Sequence, residues 1–375
     1  MNFVLKNLAQ RLLGDGPVSV RPFDEVRAGR ENPRDRPEVE TVAGELAQAP
    51  ADSCQYEPTY SLLGQTPEPE PASGVPRYQA NLLAVSPRRR LLLLTDAGVA
   101  GEDAVVYCPR QRVAVEETVR QWTQPAARHP LLAAPRFPPA QDLPGLTLSL
   151  GTLDGGGFYH FLMETLPRLY LARPWLDRID NFLANGAPGS FQERWLVHAG
   201  VPAAKLRWLS GHSHFHCDEI MFTNPLCSDS EPTPWLIAAI QDTLRAPRAA
   251  RPGSHRVWIS RNDAGSRVLA WENELLATLD GFERVELARL APVEQMRLMA
   301  SAGVVAGPHG AGLTNLVFCA PGTRLIELLP EGHYRPLFGR LALGARCVHA
   351  WAAVDFTRVP ANLDELTTRM RAFAA

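Results

Sequence analysis

Val304-Val305-Ala306-Gly307-Pro308-His309-Gly310-Ala311-Gly312-Leu313-Thr314-Asn315 reads as a short apolar strand running into a histidine-glycine turn and then a helix. Gly310 and Gly312 carry no Cβ, so backbone at the turn can approach a ligand closely. The first N–H groups of the new helix point at whatever sits there, and phosphate is the guest such a turn suits. The stretch lies inside a regular alternation of strand and helix, the pattern of a parallel sheet with covering helices.

Working outward, the pattern predicts strands at Val257–Ser260, Arg284–Leu287, Gly303–Ala306, Arg324–Leu328 and Cys347–Ala350. Helices are expected at Glu272–Leu279, Pro292–Ala302, Leu313–Phe318 and Tyr334–Leu343, with Asn362–Ala374 closing the chain. Upstream, strands are expected at Tyr78–Val85, Arg90–Thr95, Ala104–Tyr107 and Leu146–Leu150. A helix follows from near Phe158, with Phe158, Phe161, Leu162, Thr165, Leu166 and Leu169 as its apolar stripe and Pro167 as a kink. From Gly14 to Pro76, proline, glycine and mixed charge predict loops, short strands and a semi-rigid linker ending in Thr66-Pro67-Glu68-Pro69-Glu70-Pro71. The expected division is an irregular segment 1–76, an α/β domain 77–245 and a second α/β domain 246–375.

The 375 residues exceed the usual size of one core, which fits two domains. Charge nearly cancels, 38 basic against 40 acidic residues, so no general attraction to nucleic acid follows. Lys6 and Lys205 are the two lysines, and the arginine excess reads as the composition of a GC-rich genome. Six cysteines are scattered with no C-x-x-C pair, the usage of reduced structural thiols in a cytosolic chain. Met1–Leu13 is too short and too interrupted for a signal peptide or a membrane span. It reads as a small amphipathic helix packing on its own protein, with peripheral association at a membrane surface as the alternative.

Three groups fall at expected strand ends: Arg261, His309 and Glu327, the last inside the apolar run Leu325-Ile326-Glu327-Leu328. A nucleoside diphosphate would suit them, with N–H groups and Arg261 on the phosphates and Glu327 accepting both hydrogens of a ribose cis-diol. The bland alternative pairs Arg261 with Asp263 and gives Glu327 a neighbouring arginine. On the long helix His160, Glu164 and Arg168 are spaced i, i+4, i+8 and form one polar stripe. His160 is a candidate base, with Glu164 orienting it or acting as base itself, against the alternative of a solvated Glu164–Arg168 pair. His212, His214 and His216 alternate as a strand would, which reads as an edge strand of exposed histidines before it reads as a zinc site. No metal is expected, and Asp229-Ser230-Glu231 is a poor match to a metal-nucleotide signature.

Four blocks together resemble the family-61 glycosyltransferases. They are Gly157-Phe158-Tyr159-His160-Phe161-Leu162-Met163-Glu164-Thr165-Leu166-Pro167-Arg168-Leu169, then Ile259-Ser260-Arg261 through Arg267, then Gly307 to Asn315, then Pro321 to Leu328. They span about Leu146 to Ala350. One departure is Trp271-Glu272, where the family usually has Asn-Glu after the second arginine. The resemblance implies two Rossmann-like domains facing across a cleft (GT-B type), a nucleotide-diphosphate sugar as donor, inversion at the anomeric carbon and no obligatory metal or cofactor. It implies catalytic roles for His160 and Glu164, and donor binding by Arg261, Arg267, His309, Gly310, Ala311, Gly312, Asn315 and Glu327. The acceptor implied is a glycan or lipid-linked saccharide, in bacterial capsule or other surface-polysaccharide synthesis at the cytoplasmic side of the membrane. Two rivals stand beside it: a catalytically inactive glycan- or nucleotide-binding protein, kept open by Trp271, and a nicotinamide-dependent oxidoreductase with Glu327 as its ribose carboxylate.

Overall fold

The computed structural model describes residues 19–30, 43–49, 53–55, 60–65, 83–85, 88–119, 126–133, 137–227, 232–332 and 335–375. The expected helix at Met1–Leu13, most of the loop and linker region, and Asp229-Ser230-Glu231 lie outside them. The chain divides into two compact units, Met1–Ala51 with Pro87–Leu226, and Asp52–Ser86 with Cys227–Ala375. This differs from the boundaries expected at 76 and 245, because part of the expected linker belongs to the second unit.

In the second unit six strands pair in parallel, in the order Phe282–Val285, His255–Ile259, Ala302–Pro308, Arg324–Pro330, Val348–Val354, Tyr60–Ser61. Apolar runs such as Val304-Val305-Ala306 are what a sheet covered on both faces demands. One face packs Trp258, Ala306, Ile326, Leu328 and Ala350 against Leu275 of helix Glu272–Thr278 and Leu366 and Met370 of helix Leu363–Ala374. Helices Pro292–Ser301 and Leu337–Gly344 complete the alternation. Short strands were expected in this region, but not that Tyr60–Ser61 would form the edge of this sheet. Leu62 N–H donates to Trp351 O at 2.8 Å and Gln65 exchanges two 2.8 Å bonds with Ala353, closing an edge that would otherwise stand open.

The first unit is less Rossmann-like than expected. Its sheet is parallel along His214–Thr223, Gln141–Ser149, Asn181–Asn185 and Leu206–Leu209. It is antiparallel where Arg89–Ala100 meets His214–Thr223, Val105–Cys108 and Ala43–Ala49. The short turn Pro109-Arg110-Gln111-Arg112 joins Val105–Cys108 to Val113–Val115 as a hairpin, a connection that forces antiparallel pairing. His214–Thr223 is central, paired on both sides, and so corrects the edge-strand reading.

Candidate active site

Counted along the chain from His255, the five C-terminal strands lie in the order second, first, third, fourth, fifth. The order reverses between His255–Ile259 and Ala302–Pro308, and in an open parallel sheet that reversal opens a crevice at the carboxyl ends of those two strands. Ser260-Arg261-Asn262 leaves one of them and His309-Gly310 the other. The structure thus brings together Arg261 and the glycine turn. A Cβ on Gly310 would stand 2.5 Å from Arg261 Cζ, so the guanidinium rests on bare Cα. Gly310 is needed for that approach and not for its backbone, whose φ of 173° is ordinary extended chain.

Arg261 donates through Nε and Nη2 to Ser266 O, at 3.3 and 2.9 Å. Burial and then the neighbouring Arg267 cation lower its pKa, with Asp263 acting weakly the other way. Arg267 is exposed and adopts a left-handed φ of 54°. Partial burial and the cation of Arg335 lower it in turn. Arg267 thus disfavours the charge on Arg261, and Arg335 that on Arg267, an arrangement that an anion would relieve. The following helix, Ala311–Phe318, is a 3₁₀ helix starting two residues earlier than expected. Its first N–H groups, those of the half-buried Ala311 and Gly312, have no preceding carbonyl of the helix to reach. Asn315 is fully buried. Its Nδ2 donates to Gly312 O at 3.1 Å, and its Oδ1 has no partner.

His309 and Glu327 are arranged differently from the sequence expectation. Glu327 is 1% exposed, with Oε1 2.5 Å from His309 Nδ1 and Oε2 3.0 Å from His349 Nε2. Burial pushes its pKa up, but hydrogen bonds and charge from the two imidazoles outweigh that and hold it at about 2. Both oxygens that were expected to take a ribose diol are engaged inside the protein. Glu327 therefore acts through His309, and the acidic residue required by the nicotinamide alternative is not available. His309 is itself buried, with its ring edge-on to Phe338 at 4.9 Å and its N–H donated to Leu328 O at 2.7 Å. It braces the glycine turn from beneath.

Glu272 and His349 were missed by sequence reasoning. Buried Glu272 accepts Trp258 Nε1 at 2.7 Å and Ser260 Oγ at 2.8 Å, receives Asn262 Nδ2 at 3.2 Å and pairs with Arg284 Nε at 3.0 Å. It clamps both residues flanking Arg261. Its signal in the sequence was an acid beside Trp271 at a helix start. His349 was visible as a polar residue in an apolar strand, one strand over from Glu327. Trp271 is a core residue, 1% exposed, with Nε1 donated to Asp355 O at 2.8 Å.

In the first unit, the helix carrying His160 has three parts: Phe158–His160, a π-helical turn Phe161–Thr165, and α-helix Leu166–Ala172. Pro167 explains the middle part. It lacks an N–H and its ring crowds the carbonyl four residues back, so the ladder widens before it instead of kinking at it. Glu164 is buried inside this turn, which removes the solvated-stripe alternative. Its Oε1 lies 2.9 Å from His160 Nδ1, and Thr152 Oγ1 donates to Oε2 at 2.6 Å. A carboxylate at Nδ1 fixes the proton there and places the lone pair on Nε2. Arg168 donates to Glu164 O and Gly151 O, at 3.1 and 2.7 Å. The loop before the helix is pinned: Thr152 N–H donates to Asn185 Oδ1 at 2.9 Å, and Gln192 Nε2 reaches Gly155 O and Gly156 O at 3.4 and 3.3 Å.

The three alternating histidines have separate roles. His212 is exposed in a turn, His214 is buried between Tyr107 OH and Pro138 O at 2.6 Å each, and His216 pairs with Asp96 at 2.9 Å.

The family Glycosyltransferase 61 is matched by residues 158–326, a span holding both the His160 helix and the Arg261–Gly310 turn. Over this span the chain is similar to glycosyltransferase family 61. Among curated proteins it resembles a β-1,2-xylosyltransferase of Oryza sativa subsp. japonica, 43% identical over 49 residues, and one of Arabidopsis thaliana, 38% identical over 56 residues. Those matches take in 13% and 15% of this chain and 9% and 10% of the relatives' own length. Within the matched span Trp271 stands where the family usually has asparagine, and here that position closes the core.

Proposed function

We propose that the protein is an inverting glycosyltransferase of GT-B arrangement, moving a sugar from a nucleotide diphosphate to a hydroxyl of a glycan or lipid-linked acceptor. The observation that carries the reading is the Arg261 guanidinium lying on Gly310 at the sheet's chain reversal, inside the family-matched span. Arg261, Arg267 and the N–H groups of Ala311 and Gly312 suit the leaving diphosphate, whose charge grows as the bond to the anomeric carbon breaks. His160 suits the other half of the reaction. With Nδ1–H held by Glu164, Nε2 accepts the acceptor proton as the oxygen attacks in line. Glu164 is then the orienting group and Glu327, through His309, the brace of the donor turn.

Both matched relatives are named as xylosyltransferases, so a pentosyl donor heads the candidates. A surface-polysaccharide acceptor and a cytoplasmic setting rest on the family resemblance alone. Incubation with a panel of nucleotide sugars that includes UDP-xylose is expected to show donor hydrolysis or transfer. Failure of calorimetry to detect binding of any nucleoside diphosphate would refute the reading.

A further inference from the structure

Outside the residues assigned so far, the first unit holds a pocket of about 450 Å³ lined by Gly101, Glu102, Asp103, His129, Phe137 and His212, among others. Its volume is in the range of small-molecule sites, roughly 300–1,000 Å³. The floor is Asp103, whose side chain is 10% exposed. Asp103 Oδ2 lies 2.7 Å from His129 Nε2, and the Leu131 N–H donates to His129 Nδ1 at 3.2 Å. That second bond puts the lone pair on Nδ1 and the proton on Nε2, so the imidazole donates to Asp103 and fixes its rotamer. Oδ1 has no hydrogen-bond partner among the described residues. That oxygen of a largely buried side chain is open to a hydrogen-bond donor placed in the pocket.

Gly101 keeps this oxygen accessible. Its φ is +80°, a conformation that favours glycine, and a Cβ there would stand 2.9 Å from Asp103 Oδ1 and 3.4 Å from Leu131 Cδ1. The lining mixes apolar faces, Phe137, Pro130, Pro138, Leu131 and Leu153, with two carboxylates, two histidines and Ser213, and has no lysine or arginine among the described residues. A phosphate or diphosphate would meet Asp103 and Glu102 with like charge. A neutral ring bearing hydroxyls meets both surfaces well, its O–H groups donating to the carboxylates and its C–H faces lying on the apolar residues. Asp103 and Leu153 also wall the small cavity that contains Thr152, Glu164 and Arg168, so the pocket adjoins the group that orients His160.

We infer that this pocket is a subsite for a neutral saccharide ring of the acceptor, with Asp103 Oδ1 as the hydroxyl acceptor that fixes its orientation. The assignment to an acceptor rests on the proposed glycosyl transfer; the affinity for a neutral sugar ring does not. The phosphorylated part of a lipid-linked acceptor is excluded from it by charge.

The test titrates the full chain with methyl β-D-xylopyranoside and methyl β-D-galactopyranoside, read by saturation-transfer NMR, with glucose 1-phosphate as the charged comparison. At least one neutral glycoside is expected to bind and glucose 1-phosphate at least tenfold more weakly. Asp103→Asn keeps the shape and is expected to weaken the glycoside at least tenfold. His212→Ala, at an exposed position that cannot upset folding, is expected to weaken it severalfold. The inference is overturned if no glycoside of the pair binds, if both variants bind it as tightly as the parent chain, or if glucose 1-phosphate binds equally well. Nucleoside diphosphate binding, measured on the parent chain separately, reports on the proposed transferase reading and leaves these outcomes distinct.

Discussion

Replacing Glu327 with glutamine removes one negative charge from the centre of the second unit while keeping side-chain volume. In the folded chain the carboxyl has a pKa of about 2 against an ordinary 4.5, because two imidazoles outweigh the cost of burial. At 1.36 kcal/mol per unit, ionised Glu327 contributes about 3 kcal/mol at neutral pH. The group is fully buried, so solvent screening does not discount this figure. A lowered folded value means the contribution is complete above pH 4.5 and is lost as the pH falls through 2. At pH 3 about 1 kcal/mol of it should remain. Glu327→Gln is therefore expected to be about 3 kcal/mol less stable than the parent chain at pH 7, and about 1 kcal/mol less stable at pH 3. Urea unfolding of both chains at the two pH values, followed by tryptophan fluorescence, measures the difference directly. Equal stability at pH 7, or a deficit that stays constant down to pH 3, would refute the claim that the ionised carboxylate holds the two histidines.

Gly310→Ala drives a methyl group into the Arg261 guanidinium and is expected to lower nucleoside diphosphate affinity at least tenfold by calorimetry, while costing less than about 1 kcal/mol because a flexible side-chain end can yield. His160→Ala is expected to reduce kcat for sugar transfer by about 10²–10⁴, the usual worth of a general base. Thr152→Val, which deletes the 2.6 Å bond to Glu164, should destabilise by about 1–3 kcal/mol in thermal or urea unfolding. Trp271→Asn restores the residue usual in the family but empties a core site, and is expected to cost about 3–5 kcal/mol in urea unfolding without improving donor hydrolysis.

Much of the second unit was legible in the sequence because its inner strands, such as Ala302–Pro308 and Arg324–Pro330, are apolar runs. Strand Arg324–Pro330 and helix Glu272–Thr278 were expected from their first residues onward, and Leu363–Ala374 to within one residue. The first unit was harder. His214–Thr223 carries histidines and acids at its start, and a polar residue in a central strand is indistinguishable from one at an edge until its partners are known. In the second unit, Tyr60–Ser61 is too short to show a period. In the site, spacing placed Arg261, Gly310, His160 and Glu164 correctly on their elements. It could not reveal which polar groups are buried together. Glu327 looked like a ligand-facing carboxylate because its second partner, His349, lies 22 residues away on another strand.

Strand Tyr60–Ser61 closes a sheet whose adjoining strand, Val348–Val354, is synthesised almost three hundred residues later. Leu62, buried in the same core as Met370, must wait unpaired through almost three hundred residues of synthesis. The chain therefore cannot finish its second unit cotranslationally in amino-to-carboxyl order. An expression fragment cut to the family-matched span, or started after residue 86, would leave that sheet with a raw edge and its core short of Leu62. Solubility on expression should depend on keeping the early segment and the late strand in one polypeptide.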